Sequence, residues 1–151
     1  MEKTIREKLR GMTKDELLQL IEALSCVSDI QQTIKMIVMP SEKMIEREYS
    51  SFCRWCASAA NHPYSDQSVN QLYERSFLIR LGLDHMTPAF SATILLKMYR
   101  ELSLYGDYDL DFFYDIGTEC REALKEIVTE YGDSISEAQR EKIMALVEEY
   151  E

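Results

Sequence analysis

Two cysteines separated by two residues are the first side chains of this 151-residue sequence that could do chemistry. Cys53, Cys56 and the nearby His62 are residue types that bind zinc or take part in redox reactions. A redox pair needs a thiolate near a helix N-terminus, but apolar periodicity places both cysteines in the middle of a helix. A zinc site would need further cysteine or histidine ligands to come close. Cys53, Cys56 and His62 are therefore weak metal candidates.

Three alternating aspartates form a second candidate site, with the spacing of a calcium-binding loop. Asp107, Asp109 and Asp111 could direct their carboxylates towards one cation. The match fails where the loop needs glycine, because that position is Phe112, and where it needs glutamate, because that position is Thr118. The pattern instead favours an acidic loop in which Asp109 caps the next helix and Asp111 interacts with its dipole. We expect no metal and no cofactor.

Aromatic residues are concentrated in the same segment, where residues 105–114 contain five rings. One helix face cannot bury all five, so some of them should be exposed or half-exposed. Aromatic rings beside charged side chains are typical of an interaction surface. The sequence predicts such a surface and no catalytic residue, and its predicted members are Tyr105, Asp107, Tyr108, Asp109, Asp111 and Tyr114.

Charge is distributed unevenly along the chain, which has a net charge of −10. Residues 1–100 carry 13 basic and 12 acidic side chains, whereas residues 101–151 carry 4 basic and 15 acidic side chains. Nucleic-acid binding needs a dense positive surface, so we expect no nucleic-acid partner. The acidic C-terminal third favours a basic protein surface, or self-association through the basic first fourteen residues.

Apolar residues recur every three to four positions throughout the chain, which indicates helices rather than strands. The low content of glycine and proline argues against a turn-rich β-fold. The spacing predicts one all-α domain over residues 1–151, a bundle of about seven or eight helices arranged as antiparallel hairpins. Helix starts are predicted at Thr13, Ser28, Ser41, Thr87 and Ser136.

Glycines mark several predicted helix ends and one predicted helix contact. Gly11 is expected to end the first helix in a left-handed conformation, and Gly82, Gly106 and Gly132 are expected to end three later helices. Gly117 lies inside a predicted helix, where glycine is unfavourable by up to about 1 kcal/mol relative to alanine. Its presence predicts a close approach of a second helix, with a ligand near the backbone as the alternative.

The expected compartment follows from two features that the sequence lacks. No apolar run reaches the length of about 18 residues that a membrane span needs, and the first six residues contain no apolar signal segment. We therefore expect a soluble cytoplasmic protein without a membrane partner. In that compartment the four cysteines should remain thiols.

Two stretches resemble an uncharacterised bacterial family of helical proteins, domain-of-unknown-function family 6155. The first is the hairpin of residues 12–21 with its turn at Ser28-Asp29, and the second runs from Leu81-Gly82-Leu83-Asp84 through Tyr131-Gly132 to residues 142–149. Residues 50–70 depart from the family, which tends to be basic there. The resemblance implies an all-helical fold and supplies neither an activity nor catalytic residues.

Three functions remain open from the sequence. The acidic, aromatic-rich C-terminal third favours a protein-binding or adaptor module. One alternative is a metal- or thiol-dependent enzyme that uses Cys53 and Cys56. The other is an inhibitor whose acidic surface imitates nucleic acid, which requires carboxylates at roughly phosphate spacing along one exposed face.

Overall fold

The computed structural model describes residues 2–26 and 28–149, and within them the chain forms eight α-helices and no strand. The helices are α1 (Lys3–Arg10), α2 (Lys14–Leu24), α3 (Ser28–Val38), α4 (Glu42–Asn61), α5 (Asp66–Leu83), α6 (Pro88–Ser103), α7 (Asp111–Tyr131) and α8 (Glu137–Glu149). Two short 3-10 turns, Gly106–Tyr108 and Gly132–Ser134, precede and follow α7. The predicted all-α class and the number of helices are confirmed.

The helices fall into two compact units, Met1–Met39 and Pro40–Glu151. The first unit contains α1, α2 and α3, and among its described residues only Met36 is a buried apolar residue. The second unit contains α4 to α8 and nearly all of the buried side chains. Compactness does not measure whether a unit folds by itself, so one domain over residues 1–151 stays a prediction.

Side-chain caps place the helix starts where the sequence predicted them. Thr13 Oγ1 accepts a hydrogen bond from the Glu16 amide at 3.2 Å and donates to the Glu16 carboxylate at 3.0 Å. Ser41, Thr87 and Ser136 accept in the same way from the backbone N–H three residues ahead. These contacts lie within four residues of sequence, which explains why they could be predicted.

Two of the four glycines predicted to end helices do so, and two do not. Gly11 does follow α1, but its φ is −82° and its conformation is right-handed, so the predicted left-handed cap is wrong. Helix α5 continues one residue past Gly82, and α6 ends at Ser103 before Gly106 is reached. Gly132 directly follows α7, as predicted, although its conformation is also right-handed. Backbone hydrogen bonds of the last turn satisfy the ends of α1, α5 and α6 without a left-handed residue.

The second unit is built from helices that pack against their neighbours in sequence. Helix α4 packs on α5 and α6 packs on α7, and loops of four and seven residues join the members of these pairs. Loops this short return the chain beside itself, which gives antiparallel hairpins. Helix α8 packs against α7 and α6, and Gln139 Nε2 of α8 donates to the Ala89 carbonyl of α6 at 2.9 Å.

The core of the second unit forms where the apolar faces of its helices meet. Its fully buried members include Phe52 of α4, Leu72 of α5, Met98 of α6, Leu124 of α7 and Ile143 of α8. Burying a large apolar side chain stabilises the fold by about 1.5–3 kcal/mol. Helices α6 and α7 pack on each other, and the candidate site lies where α6 ends and α7 begins.

None of the helices in the described part of the chain combines the length and the apolar character that a membrane span requires.

Candidate functional site

A cleft of about 380 Å³ opens where the end of α6, the following loop and the start of α7 meet. Helix α6 contributes Tyr99, Leu102 and Ser103 to its wall, and the loop contributes Tyr105, Gly106, Asp109 and Leu110. Helix α7 contributes Asp111, Phe113, Tyr114, Gly117, Thr118 and Arg121. Its walls therefore combine aromatic rings, two carboxylates, the aliphatic hydroxyls of Ser103 and Thr118, and one guanidinium.

The regular spacing of α7 brings its part of the lining together. Asp111, Tyr114, Thr118 and Arg121 follow one another at three or four residues, and residues at this spacing share one face of a helix. The first turn of α7 supplies the carboxylate, and the guanidinium lies nearly three turns further on. Both charges thus border the same cleft.

Stacked aromatic rings form one side of the cleft. The ring of Tyr105 lies 5.2 Å from that of Phe113, with an angle of 11° between the planes. Phe113 is buried, whereas Tyr114 next to it has 69% of its surface exposed. Tyr108 is half exposed, and its ring lies 6.0 Å from that of Tyr105. The prediction that only part of this aromatic set would be buried is confirmed.

Asp109 does not cap α7, so this prediction is wrong. Its φ of 49° and ψ of 48° are left-handed, whereas a residue that caps a helix N-terminus has extended angles. Leu110 occupies the cap position, with a φ of −104° and a ψ of 124°, and makes no side-chain cap hydrogen bond. Asp111 does lie in the first turn of α7, where the helix dipole favours its charge.

Gly117 is buried in the wall of the cleft, at the crossing of α6 and α7. A Cβ atom at this position would lie 3.9 Å from both Leu102 Cδ1 and Tyr99 Cε2, which are ordinary van der Waals distances. A helix crossing is present, as predicted, but it is not close enough to require glycine. The space left by the missing methyl group belongs to the cleft.

Thr118 contributes a hydroxyl that is shielded from solvent. Its Oγ1 atom has no hydrogen-bond partner among the described residues. A buried hydroxyl without a partner is unfavourable by about 1–3 kcal/mol, and such groups are rare in folded proteins. Thr118 is thus a polar group in the cleft wall whose hydrogen-bonding capacity is not used within the described chain.

Four of the six predicted surface residues line the cleft, namely Tyr105, Asp109, Asp111 and Tyr114. Asp107 and Tyr108 are exposed on the adjoining 3-10 turn and are not part of the lining. The lining residues of α6 were not predicted, and neither were Thr118 and Arg121. Continuing the helical spacing beyond Tyr114 would have reached the last two. Nothing local in the sequence connects α6 to this site.

A stripe of exposed carboxylates runs along a neighbouring face of α7. Its six members are Asp111, Asp115, Glu119, Glu122, Glu126 and Glu130. With 100° of rotation per residue, all six lie within about 100° around the helix axis. Asp115 accepts a hydrogen bond from Tyr73 at 3.2 Å, and Glu119 pairs with Arg80 at 2.7 Å. Asp111 belongs to both the stripe and the cleft.

Cys53 and Cys56 lie in the middle of α4, as predicted, beside acidic and phenolic groups. Burial raises the pKa of the Cys53 thiol, and the Glu101 carboxylate adds to this effect, although a hydrogen bond with Tyr49 acts in the opposite direction. Burial also raises the pKa of Cys56, with Cys53 and Glu101 adding to the effect. Protonated thiols are poor nucleophiles. This environment suppresses thiolate chemistry.

The remaining cysteines and His62 do not complete a metal site around this pair. Among residues 2–26 and 28–149, no three histidine, cysteine or acidic side chains are arranged to hold a metal ion. His62 is exposed and follows the last turn of α4, about 9 Å along the helix axis from Cys56. Cys120 is buried on α7, and Cys26 is exposed in the first unit.

No protein-family model, curated protein or solved structure gave a significant match to this chain. The resemblance to domain-of-unknown-function family 6155 therefore stays a prediction.

Proposed function

We propose that this protein is a protein-binding module that recognises a basic segment of its partner with the cleft and the carboxylate stripe of α7. The main support is the position of Asp111, which is both a wall residue of the aromatic cleft and the first member of the stripe. A basic segment bound along α7 would therefore contact aromatic rings at one end and carboxylates along its length. Charge complementarity of this kind favours fast and selective association.

The stripe is long enough to make such a contact. It spans twenty residues of α7, from Asp111 to Glu130, which corresponds to about 28 Å along the helix axis. Two of its six carboxylates are already engaged by Tyr73 and Arg80 of α5, and exposed pairs of this kind contribute at most about 1 kcal/mol. A basic partner can compete for these two carboxylates and can pair directly with other members of the stripe.

The thiol-dependent enzyme has less support. Its two candidate nucleophiles, Cys53 and Cys56, have raised pKa values because of burial and neighbouring negative charge. A catalytic cysteine needs the reverse, a lowered pKa near a cation or a helix N-terminus.

The nucleic-acid-mimicking inhibitor is a second candidate function, because the stripe is a linear array of exposed carboxylates. Its charges follow one another at about 6 Å along the axis, whereas each DNA strand carries one charge per about 3.4 Å. The stripe therefore has little more than half the linear charge density of a single strand. That density suits pairing with a short basic segment better than it suits imitation of a duplex.

The proposal is tested with a matched pair of charge variants. One variant changes Glu122, Glu126 and Glu130 of the stripe to glutamine, and the control changes Glu141, Glu148 and Glu149 of α8 in the same way. Both variants lose three exposed carboxylates, and neither change touches the cleft. Each protein is titrated, by fluorescence anisotropy at about 50 mM salt, against a set of labelled basic peptides with and without aromatic residues.

The stripe variant should bind the preferred peptides about tenfold more weakly than the control variant does. The control should remain within about twofold of the original chain, since only long-range attraction is reduced. Equal losses in both variants would show that the acidic surface attracts basic peptides without a specific site, and the proposal would then be abandoned. Binding of duplex-DNA-binding proteins but of no peptide would favour the mimic instead.

A further inference from the structure

We infer that the cleft between α6 and α7 is an arginine-recognition pocket, which receives one guanidinium side chain from the partner. This inference rests on the proposed function and adds the chemical identity of the group that is recognised. It is carried by the size of the cleft, the charge of its lining and the exposed aromatic ring at its edge.

The size of the cleft, about 380 Å³, suits a single long side chain. The volume lies at the lower end of the range of about 300–1,000 Å³ for small-ligand pockets. A single long side chain with its flanking backbone fits this space.

The charge of the lining selects a cation. Asp109 and Asp111 contribute two carboxylates and Arg121 contributes one positive charge, so the lining carries a net charge of −1. An acidic ligand would face net repulsion. An arginine can donate two parallel hydrogen bonds to one carboxylate, which fixes its orientation as well as its position.

The aromatic lining selects a planar cation over a compact one. Tyr114 lines the cleft with 69% of its surface exposed, so its ring is accessible to a ligand. Tyr105 is held in place by its stacking on Phe113. A guanidinium stacks on aromatic rings and loses its hydration more easily than a lysine ammonium does. The combination of rings and carboxylates therefore matches arginine best.

The charge of the whole chain indicates that the arginine comes from a different protein. Each copy carries a net charge of −10, so two copies repel one another at long range. Exposed arginines do occur in this chain, for example Arg6 and Arg10 of α1, and the experiment includes them. A basic partner is attracted by the negative electrostatic potential that makes two copies of this chain repel one another.

The test uses the full chain, labelled with ¹⁵N, and five-residue glycine peptides that carry arginine, lysine, citrulline or glutamate at the centre. Citrulline keeps the shape of arginine without its charge. The arginine peptide should shift the amide signals of Gly106, Gly117 and Thr118, and the citrulline and lysine peptides should bind about tenfold more weakly. The glutamate peptide should not bind.

A double variant, Asp109→Asn with Asp111→Asn, should reduce arginine-peptide binding about tenfold. Asparagine accepts the left-handed conformation at position 109, so the fold should be kept, and the amide spectrum reports this directly. The control, Glu148→Gln with Glu149→Gln, removes the same charge from α8 and should bind like the original chain.

Equal binding of citrulline or lysine, or signal shifts outside the cleft, would overturn the inference. So would a dimer that is seen by light scattering and lost on Arg6→Gln with Arg10→Gln, because the arginine would then come from a second copy. A peptide without arginine that still depends on Glu122, Glu126 and Glu130 would also refute the pocket while leaving the proposed function intact. The two proposals can thus fail separately.

Discussion

Arg75 of α5 and Glu48 of α4 form an ion pair that is largely removed from water. The Arg75 Nη1 atom lies 3.1 Å from Glu48 Oε2 and 3.4 Å from Glu48 Oε1, and only 14% of each side chain is exposed. The Nε atom of Arg75 is buried without a hydrogen-bond partner in the described part of the chain. The pair joins two packed helices, but its hydrogen bonding is incomplete.

Removing one partner of this ion pair should destabilise the protein strongly, whereas removing both partners should have little effect on its stability. We expect Glu48→Gln to lower the free energy of unfolding by about 2–4 kcal/mol, because the Arg75 charge loses its buried counter-ion and keeps only the more exposed Glu74 carboxylate, 3.5 Å from its Nη2 atom. Replacing both residues with leucine should change it by about 1 kcal/mol or less, because two desolvated charges disappear together. Urea unfolding of the single and double variants measures both effects.

The exposed pair between Arg80 and Glu119 is the control for this experiment. Its side chains are 41% and 51% exposed, so Glu119→Gln should cost less than about 1 kcal/mol despite the shorter distance of 2.7 Å. Equal effects of Glu48→Gln and Glu119→Gln would show that burial does not determine the strength of these pairs.

Ser76→Ala should stabilise the protein. Ser76 is 2% exposed on α5, and its Oγ atom has no hydrogen-bond partner within the residues described. Alanine removes an unsatisfied polar group and is the better helix former, so a gain of about 1 kcal/mol is expected. Ser91→Ala is the control and should destabilise the protein, because the buried Ser91 Oγ donates a hydrogen bond to the Leu83 carbonyl at 3.2 Å. Thermal unfolding should shift upwards for Ser76→Ala and downwards for Ser91→Ala, and a shift in the same direction would contradict the argument.

Gly117→Ala should stabilise the fold and weaken ligand binding in the cleft. The added methyl group meets Leu102 and Tyr99 at 3.9 Å, so it fits without displacing either residue. Replacing a glycine inside a helix with alanine contributes up to about 1 kcal/mol. Denaturant unfolding should show the gain, and peptide titration should show weaker binding because the cleft becomes smaller. A loss of stability would mean that α6 and α7 lie too close together at Gly117 for a methyl group to fit.

Stability should fall at alkaline pH in part because of Cys120. Burial raises the pKa of its thiol from 9.0 to about 12, so the folded state keeps the proton that the unfolded state loses. The stabilisation is complete below about pH 9 and is lost as the pH rises towards 12, at up to about 1.4 kcal/mol per pH unit. Unfolding free energies measured between pH 8 and about 11 should therefore decline less steeply for Cys120→Ala than for the original chain. Identical slopes would show that this thiol ionises equally in both states.

Local signals account for the parts of the fold that could be predicted. The capping hydroxyls of Thr13, Ser41, Thr87 and Ser136 each contact a residue three positions away, so sequence spacing alone places them. Asp109 was also predicted to cap the helix that follows it, and this prediction is wrong. Its left-handed backbone ends the 3-10 turn Gly106–Tyr108, in which the Asp109 N–H donates to the Gly106 carbonyl at 3.4 Å, and the spacing of apolar residues does not predict this turn.

The candidate site was predicted only along its continuous segment. Four predicted residues from positions 105–114 line the cleft, because aromatic and acidic residues are concentrated there. Tyr99 and Ser103 line the cleft because α6 packs on α7, and this packing could not be predicted from their positions in the sequence. The sequence shows an excess of carboxylates over residues 111–130. Whether all six carboxylates of the stripe are exposed depends on which side of α7 packs against the core.

The sequence by itself determined that this chain is helical, where most of its helices begin, and that its last third is acidic and aromatic. These properties depend on side-chain periodicity and on hydrogen bonds within one helical turn. The tertiary structure decided which surfaces meet, and with them the cleft, the buried pair of Arg75 and Glu48 and the separation of His62 from the cysteines. Such contacts join residues distant in sequence, and they form only when apolar faces on different helices pack together away from water.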